Sequence, residues 1–297
     1  FNANVMMLAQ QKGSRLESKV RSESQKSNAQ FFDRIGTVAA TLRTGRHAAT
    51  PQTDTPHSRR MVTLADYEWA DLIDDQDKIR MLNDPSSEYA MAAAFAFGRS
   101  KDDVIIASAL GDAYGGVAGA TAVIHPYSQK FAATTGSAFS NLNVYTLRKI
   151  KSMMDAKEVE GKRYIAVGTS QIDSLLGETQ VTSADYNGVK ALVEGNVNSF
   201  LGFEFIRLER LALTGVATAT ATTGVTAASG LTALTGTNRA CFAWAEQALL
   251  LSKGEDFVTK ISERNDKGHA TQVYGRMSIG GTRMEEVQVV EIVCKEA

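Results

Sequence analysis

Cysteine is nearly absent: Cys241 and Cys294 are the whole complement of a 297-residue chain. They lie far apart without metal-ligand spacing, so two reduced thiols are expected. Histidine is almost as sparse. His47, His57, His125 and His269 are scattered, and no pair has the H-E-x-x-H spacing that holds zinc on one helix face. No run of eighteen apolar residues occurs, so nothing reads as a membrane-spanning helix. Phe1-Asn2-Ala3-Asn4 lacks the basic start and apolar core of a signal peptide. The first residue is not Met, so a preceding segment is expected.

Catalytic signatures are missing too. There is no G-x-x-x-x-G-K-[ST] phosphate loop and no G-x-S-x-G elbow. Gly111, Gly115, Gly116 and Gly119 do not have dinucleotide-binding spacing and read as a turn. Asp74, Asp75 and Asp77 could hold a divalent ion, but an acidic surface is the commoner meaning of such a cluster. The chain therefore reads as non-enzymatic, with no catalytic residue, cofactor or metal. A formal net charge of −1 argues against condensing nucleic acid by bulk positive charge.

What is present is an ordinary globular composition, 43% apolar and 22% charged, long enough for one large or two moderate domains. The dominant stretch runs from Asn83 to Gly111, read as a helix over 85–110. Asp84 is the expected N-cap, Pro85 suits the first helical position, and Gly111 suits a left-handed stop. Such a helix is about 37 Å long. Tyr89, Ala93, Ala96, Phe97, Val104 and Ala107 share one face, while Met91, Phe95 and Ile106 lie opposite. Apolar residues on both sides predict a helix covered on both sides, a spine for the rest.

Before it, Asn2–Gln10 suits a short helix. Gln11–Asn28 is too polar to fold alone and reads as an arm, draped on something else or mobile. Phe31–Ile35 and Val38–Leu42 read as strands, and Arg60–Leu64 as the return of a long two-stranded loop. An isolated hairpin is marginal in water, so that loop implies a partner surface. Asp66–Leu82 suits a helix or turn leading into the spine. Further on, Leu142–Lys157 reads as a helix, Arg163–Val167 as a buried strand, and Gln171–Leu176 as a short helix capped by Thr169 or Ser170 and stopped by Gly177. Phe200–Ile206 reads as a strand entered through a glycine turn. Ala240–Leu251 is a core helix or strand piece, and Ala270–Ile279 and Val287–Val293 are closing strands. The uncharged Thr-Ala-Gly interval between Arg210 and Arg239 reads as a flexible excursion. Without a regular βαβ rhythm the class is α+β.

Charge is segregated. Residues 31–62 hold five arginines against two aspartates, whereas 63–88 hold eight acids against two bases. Arg43, Arg46, Arg59 and Arg60 on one side, and Asp71, Asp74, Asp75 and Asp77 on the other, are candidate inter-subunit contacts. Solvated faces are the plainer alternative.

The order of these pieces resembles the major capsid proteins of tailed double-stranded DNA bacteriophages, with the Hong Kong 97-type fold. The likeness rests on Arg60-Met61-Val62, Asp66 to Asp74, Ile79 to Pro85, the spine with Asp102 to Ile106, Gly195 to Phe203, and Arg283 to Cys294. It implies an N-terminal arm over 1–29, an extended loop over 30–63 and a peripheral domain over 64–122 containing the spine. An axial domain over 123–267 and peripheral return strands over 268–297 complete it. The resemblance also implies self-assembly into hexamers and pentamers of an icosahedral virion shell, first as a procapsid in the host bacterial cytoplasm. Portal protein, scaffolding or decoration proteins and packaged DNA are its implied partners. An encapsulin-like nanocompartment shell is the alternative, and a soluble cytosolic α/β enzyme a remote one. Some relatives cross-link through a loop lysine. No lysine occurs between Lys26 and Lys78, so a non-covalent shell is expected.

Overall fold

A computed structural model of the protein describes residues 10–47, 49–50, 52–74, 86–135, 138–178, 199–211, 213–214 and 238–296. In chain order the elements begin with β1 (Arg21–Ser24), β2 (Ala29–Ile35), β3 (His57–Thr63) and β4 (Ala65–Ile73). The long helix α1 (Ser86–Leu110) follows, then β5 (Ala113–Gly115), β6 (Thr121–Val123), β7 (Lys130–Ala132), β8 (Thr134–Thr135) and β9 (Ala138–Phe139). Next come α2 (Val144–Asp155), β10 (Arg163–Val167), α3 (Thr169–Leu176), β11 (Ser199–Phe200), β12 (Phe203–Arg207) and β13 (Leu213–Thr214). The last are β14 (Asn238–Ala245), β15 (Leu249–Arg264), β16 (Ala270–Arg283) and β17 (Val289–Lys295).

Among these residues the strands form a four-stranded sheet ordered β1-β15-β16-β4 and a seven-stranded sheet ordered β11-β12-β10-β14-β17-β7, with β13 on β14. A second four-stranded sheet runs β2-β3-β5-β6, and β8 pairs with β9. The centre of the largest sheet is β14, buried at every position, as a strand covered on both faces must be. Around it Phe203, Phe242, Trp244 and the inward side of α2 (Leu147, Ile150, Met154) make one core. Asn143 starts α2 by accepting the Thr146 N–H at 2.8 Å, a side-chain cap on an otherwise unpaired donor. Leu201 and Gly202, both with positive φ (51° and 85°), form the two-residue turn between β11 and β12. That geometry matches the twist of a tight hairpin.

The spine earns that description. Ala93 and Phe97 pack on Met277 and Ile279 in one cluster, while Ile105, Ile106 and Ala109 enter the main core. The helix is therefore covered on two sides. Its expected cap and first residue, Asp84 and Pro85, lie outside the described residues, as do Asn2–Ala9, Asp75–Leu82, and most of the uncharged interval.

Several expectations are corrected. Asp66–Ile73 is not a helix or turn but lies within β4, paired antiparallel with β16 from Ile73↔Thr271 to Ala65↔Ile279. Tyr67, Trp69, Asp71 and Ile73 alternate inward, the period of a strand with one covered face. Val38–Leu42 joins no ladder and is exposed throughout. Gly111 does not end α1 through a left-handed turn. Its N–H still bonds Ala107 O at 2.8 Å, and a Cβ there would stand 2.6 Å from that oxygen, so glycine is needed for closeness. Helix α3 begins at Thr169, with Gly168 rather than Thr169 or Ser170 in the cap position; the Gln171 side chain accepts the Gly168 N–H at 3.1 Å.

Between Gln10 and Gln25 the arm is draped on its own subunit. Strand β1 pairs in parallel with Leu250–Lys253 of β15, Leu16 is fully buried, and the Trp244 Nε1–H donates to Lys19 O at 3.0 Å. Two strands also cross the expected divisions: β15, from the axial span, pairs with β16, and β17, from the return span, lies inside the seven-stranded sheet.

Candidate assembly surfaces

The chain between β2 and β3 is open to water wherever it is described. Every described residue from Ile35 to Arg59 is exposed, including Ile35, Val38 and Leu42 at 72%, 59% and 87%. At its root the ladder sets Phe31 opposite Met61, Met61 opposite Tyr114, and Tyr114 opposite Ala122. This row spans four strands on one face, with Phe31 and Tyr114 still exposed.

Arg43 and Arg46 lie in the excursion, where Arg43 Nε donates to Gly45 O at 2.9 Å and Nη2 to Arg46 O. Arg59 stands opposite Asp33 at 3.5 Å with its guanidinium 5.4 Å from the Phe31 ring centroid. Both side chains remain open to water, so this pair contributes little stability. Arg60, one residue on, points to the opposite face. It is 4% exposed and its Nη2 bonds the Glu286 carboxylate of its own chain. Burial pulls its pKa below the ordinary arginine value, against the pull of Glu286. The alternation of a strand thus divides two neighbouring arginines: Arg59 is available to a partner, and Arg60 is held inside.

On the acidic side, Asp71 is half-buried on β4 and accepts the Leu72 N–H at 2.9 Å, and Asp74 is exposed just beyond the strand. Asp75 and Asp77 lie outside the described residues. The basic and acidic sets occupy different sheets. Among the described residues the candidate arginines pair with Asp33 and Glu286, and none with Asp71 or Asp74.

Sequence reasoning missed the groups that hold the arm. Asp102, in the middle of α1, is fully buried. Its carboxylate accepts from Ser14 Oγ at 2.5 Å, from the N–H of Arg15 and of Leu16 at 3.1 Å, and from the Gln11 amide. Beside it, at Gly98, a Cβ would stand 2.5 Å from Gly13 Cα. The arm crosses the spine backbone to backbone. Lys101 bonds Glu17 at 3.1 Å and Asp256 at 2.9 Å, and Lys253 also bonds Glu17. A charged residue inside a helix normally signals a solvated face, so only the nearby Gly98 hinted at a crossing chain.

Among the described residues no three His, Cys, Asp or Glu side chains converge to hold a metal. A cavity of about 470 Å³ is lined by Thr134, Thr135, Asn143, Tyr145, Arg148 and Glu178. No described helix is long and apolar enough to cross a membrane.

Across residues 1–296 the sequence matches the family model described as phage capsid protein. The chain belongs to that family. No curated relative matches it, but solved capsids are similar over nearly their full length. The chain of the cyanophage P-SCSP1u capsid aligns with a TM-score of 0.74 at 17% identity, covering all of this chain and 93% of that one. The chain from the capsid of Ralstonia phage GP4 gives 0.72 at 11% identity, with coverage of 100% and 95%. The chain from the capsid of cyanophage Pam1 gives 0.71 at 14%, with coverage of 99% and 95%. The Hong Kong 97-type α+β capsid fold expected from the sequence is therefore the fold observed. The chain is a major capsid subunit, a structural protein of the virion shell, and neither the nanocompartment nor the enzyme alternative has support.

Proposed function

We propose that this capsid subunit closes with copies of itself, as hexamers and pentamers, into a non-covalent icosahedral shell around double-stranded phage DNA, assembled in the host bacterial cytoplasm. The exposed excursion between β2 and β3 carries the reading. A stretch of this length that leaves Ile35, Val38 and Leu42 in water gains little burial from its own subunit. It becomes favourable only when another surface covers it.

The extended loop, residues 30–63, docks on the acidic side of a neighbour around Asp71, Asp74, Asp75 and Asp77, with Arg43, Arg46 and Arg59 as its complement. The arm (1–29), peripheral domain (64–122 with 268–297) and axial domain (123–267) are assigned by resemblance, with β15 and β17 exchanged across the division. Portal protein, scaffolding or decoration proteins and non-specific contact with DNA complete the partners. A net charge of −1 suits a wall filled by a motor, since it need not attract the genome.

The test is charge reversal at the loop. Arg59→Glu should leave a folded subunit but reduce shell yield, scored by sedimentation and electron microscopy, and Asp74→Arg in the same chain should restore part of it. Normal assembly of Arg59→Glu would remove this pairing from the proposal.

A further inference from the structure

His125 lies where the spine ends. It follows β6 closely, is 1% exposed, and neither Nδ1 nor Nε2 has a hydrogen-bond partner. An imidazole normally offers one donor and one acceptor when neutral and two donors when charged. Burying the neutral ring unpaired is costly, and burying the charged ring there costs far more.

The charges that disfavour a proton on the ring come from two elements: Arg283 on β16 and Lys130 at the start of β7. Arg283 is itself fully buried. It donates to Ala109 O at 2.9 Å, Gly111 O at 2.8 Å and Val123 O at 3.2 Å, so it closes the last turn of α1 and ties it to the residues just before His125. The carboxylates nearby act on Arg283: Glu286, Asp112 and Glu291. Glu286 pairs with Arg60 and Glu291 lies 3.0 Å from Lys130, and none of the three is among the groups that act on the His125 ring. The Gln129 backbone favours the charged ring, through a contact that falls outside hydrogen-bond geometry for either ring nitrogen.

We propose that His125 is a proton-sensitive fuse: the joint between the C-terminal end of the spine and the seven-stranded sheet closes around a neutral imidazole, and a proton on that ring opens it. Protonation adds a further cation to the field of Arg283 and Lys130, and no carboxylate acts on the ring to offset them. Burial first, then Arg283 and Lys130, push the ring down to about 3 from an ordinary 6.5. Because the folded value is the lower one, the closed joint is undisturbed above pH 6.5. Below it the closed-to-open ratio falls about tenfold per pH unit, flattening near 3. A shell in neutral surroundings stays shut at this joint, and an acidic medium loosens every subunit at the same place.

Denaturation of the full-length subunit from pH 8 to 4, beside His125→Gln, isolates the imidazole because the carboxylates are common to both. The wild type should lose stability relative to the variant at up to about tenfold per pH unit below 6.5, and its hydrogen exchange should rise first over residues 109–125. Parallel pH profiles would overturn the proposal. If His125→Gln does not fold, the imidazole resonances of the wild type decide. No titration down to pH 5 supports the fuse; titration close to 6.5 overturns it.

Discussion

Asp102 Oδ1 accepts the backbone N–H of Leu16 at 3.1 Å, across 86 positions of sequence. One carboxylate on the spine thereby fixes the course of the arm, and Gly98 lets the two backbones touch. Asp102→Ala leaves the Arg15 and Leu16 N–H groups and the Ser14 hydroxyl without their acceptor, a loss on the order of 2–3 kcal/mol. Gly98→Ala should lift the same segment, because its Cβ meets backbone rather than a side chain that can turn aside. Urea denaturation measures the first effect. Proteolysis at Lys12 and Arg15 measures arm release in both, and unchanged cleavage would contradict the anchoring role.

Acid should weaken the arm through Glu17. Burial would raise this carboxyl, but its bonds to Lys253 and Lys101 outweigh that and hold it below the usual carboxylate range. The folded pKa is the lower one, so the contribution is fully present above the ordinary 4.5 and is lost as pH falls through the folded value. Glu17→Gln should be less stable at pH 7 and show a shallower acid limb. Thermal midpoints from pH 7 to 3 check this, and an unchanged limb would show that the network is electrostatically idle. The His125 loss begins higher, below pH 6.5, and runs on to about 3 through this window, so the comparison of Glu17→Gln with the wild type, which share His125, isolates the carboxyl.

Arg59 and Arg60 should fail differently. Arg60→Ala leaves the Glu286 carboxylate, 18% exposed, with the longer Arg34 contact at 3.7 Å, and losing a hydrogen bond between charged groups costs about 1.5–3 kcal/mol. Arg59→Ala should change subunit stability by less than about 0.5 kcal/mol. Denaturation midpoints of the two variants, compared with their shell yields, separate a folding residue from an assembly residue. Equal loss of stability would mean that both arginines serve the fold.

Intact particles boiled in detergent should run as single chains. The loop offers no lysine between Lys26 and Lys78 for an isopeptide link. A ladder of linked species on a denaturing gel would refute the non-covalent shell.

The spine was legible because a long alanine-rich run with apolar residues on both sides has few other meanings. Strand β4 was not, because its acids drew attention to charge while its true signal was the alternation of Tyr67, Trp69, Asp71 and Ile73. The arm was misread for a related reason. Its composition is polar, but it is held by backbone pairing to β15 and by a helix carboxylate, neither of which leaves an apolar periodicity. Of the candidate contacts, the sequence offered Arg59 and Arg60 as equals. Only the strand's alternation, together with Glu286 far along the chain, distinguishes them.

The strand order sets when this chain can finish folding. Among the described residues strand β7 pairs with β17 alone, which also lies against β14, and β1 and β4 await β15 and β16. Two of the four sheets among the described residues are therefore held open until β16 and β17 have left the ribosome, and pairing over such long sequence separations makes folding slow. The acidic side on β4 cannot mature on a fragment that stops short of β16, so a truncated product would carry the loop but not the surface proposed to receive it, and could not complete a ring.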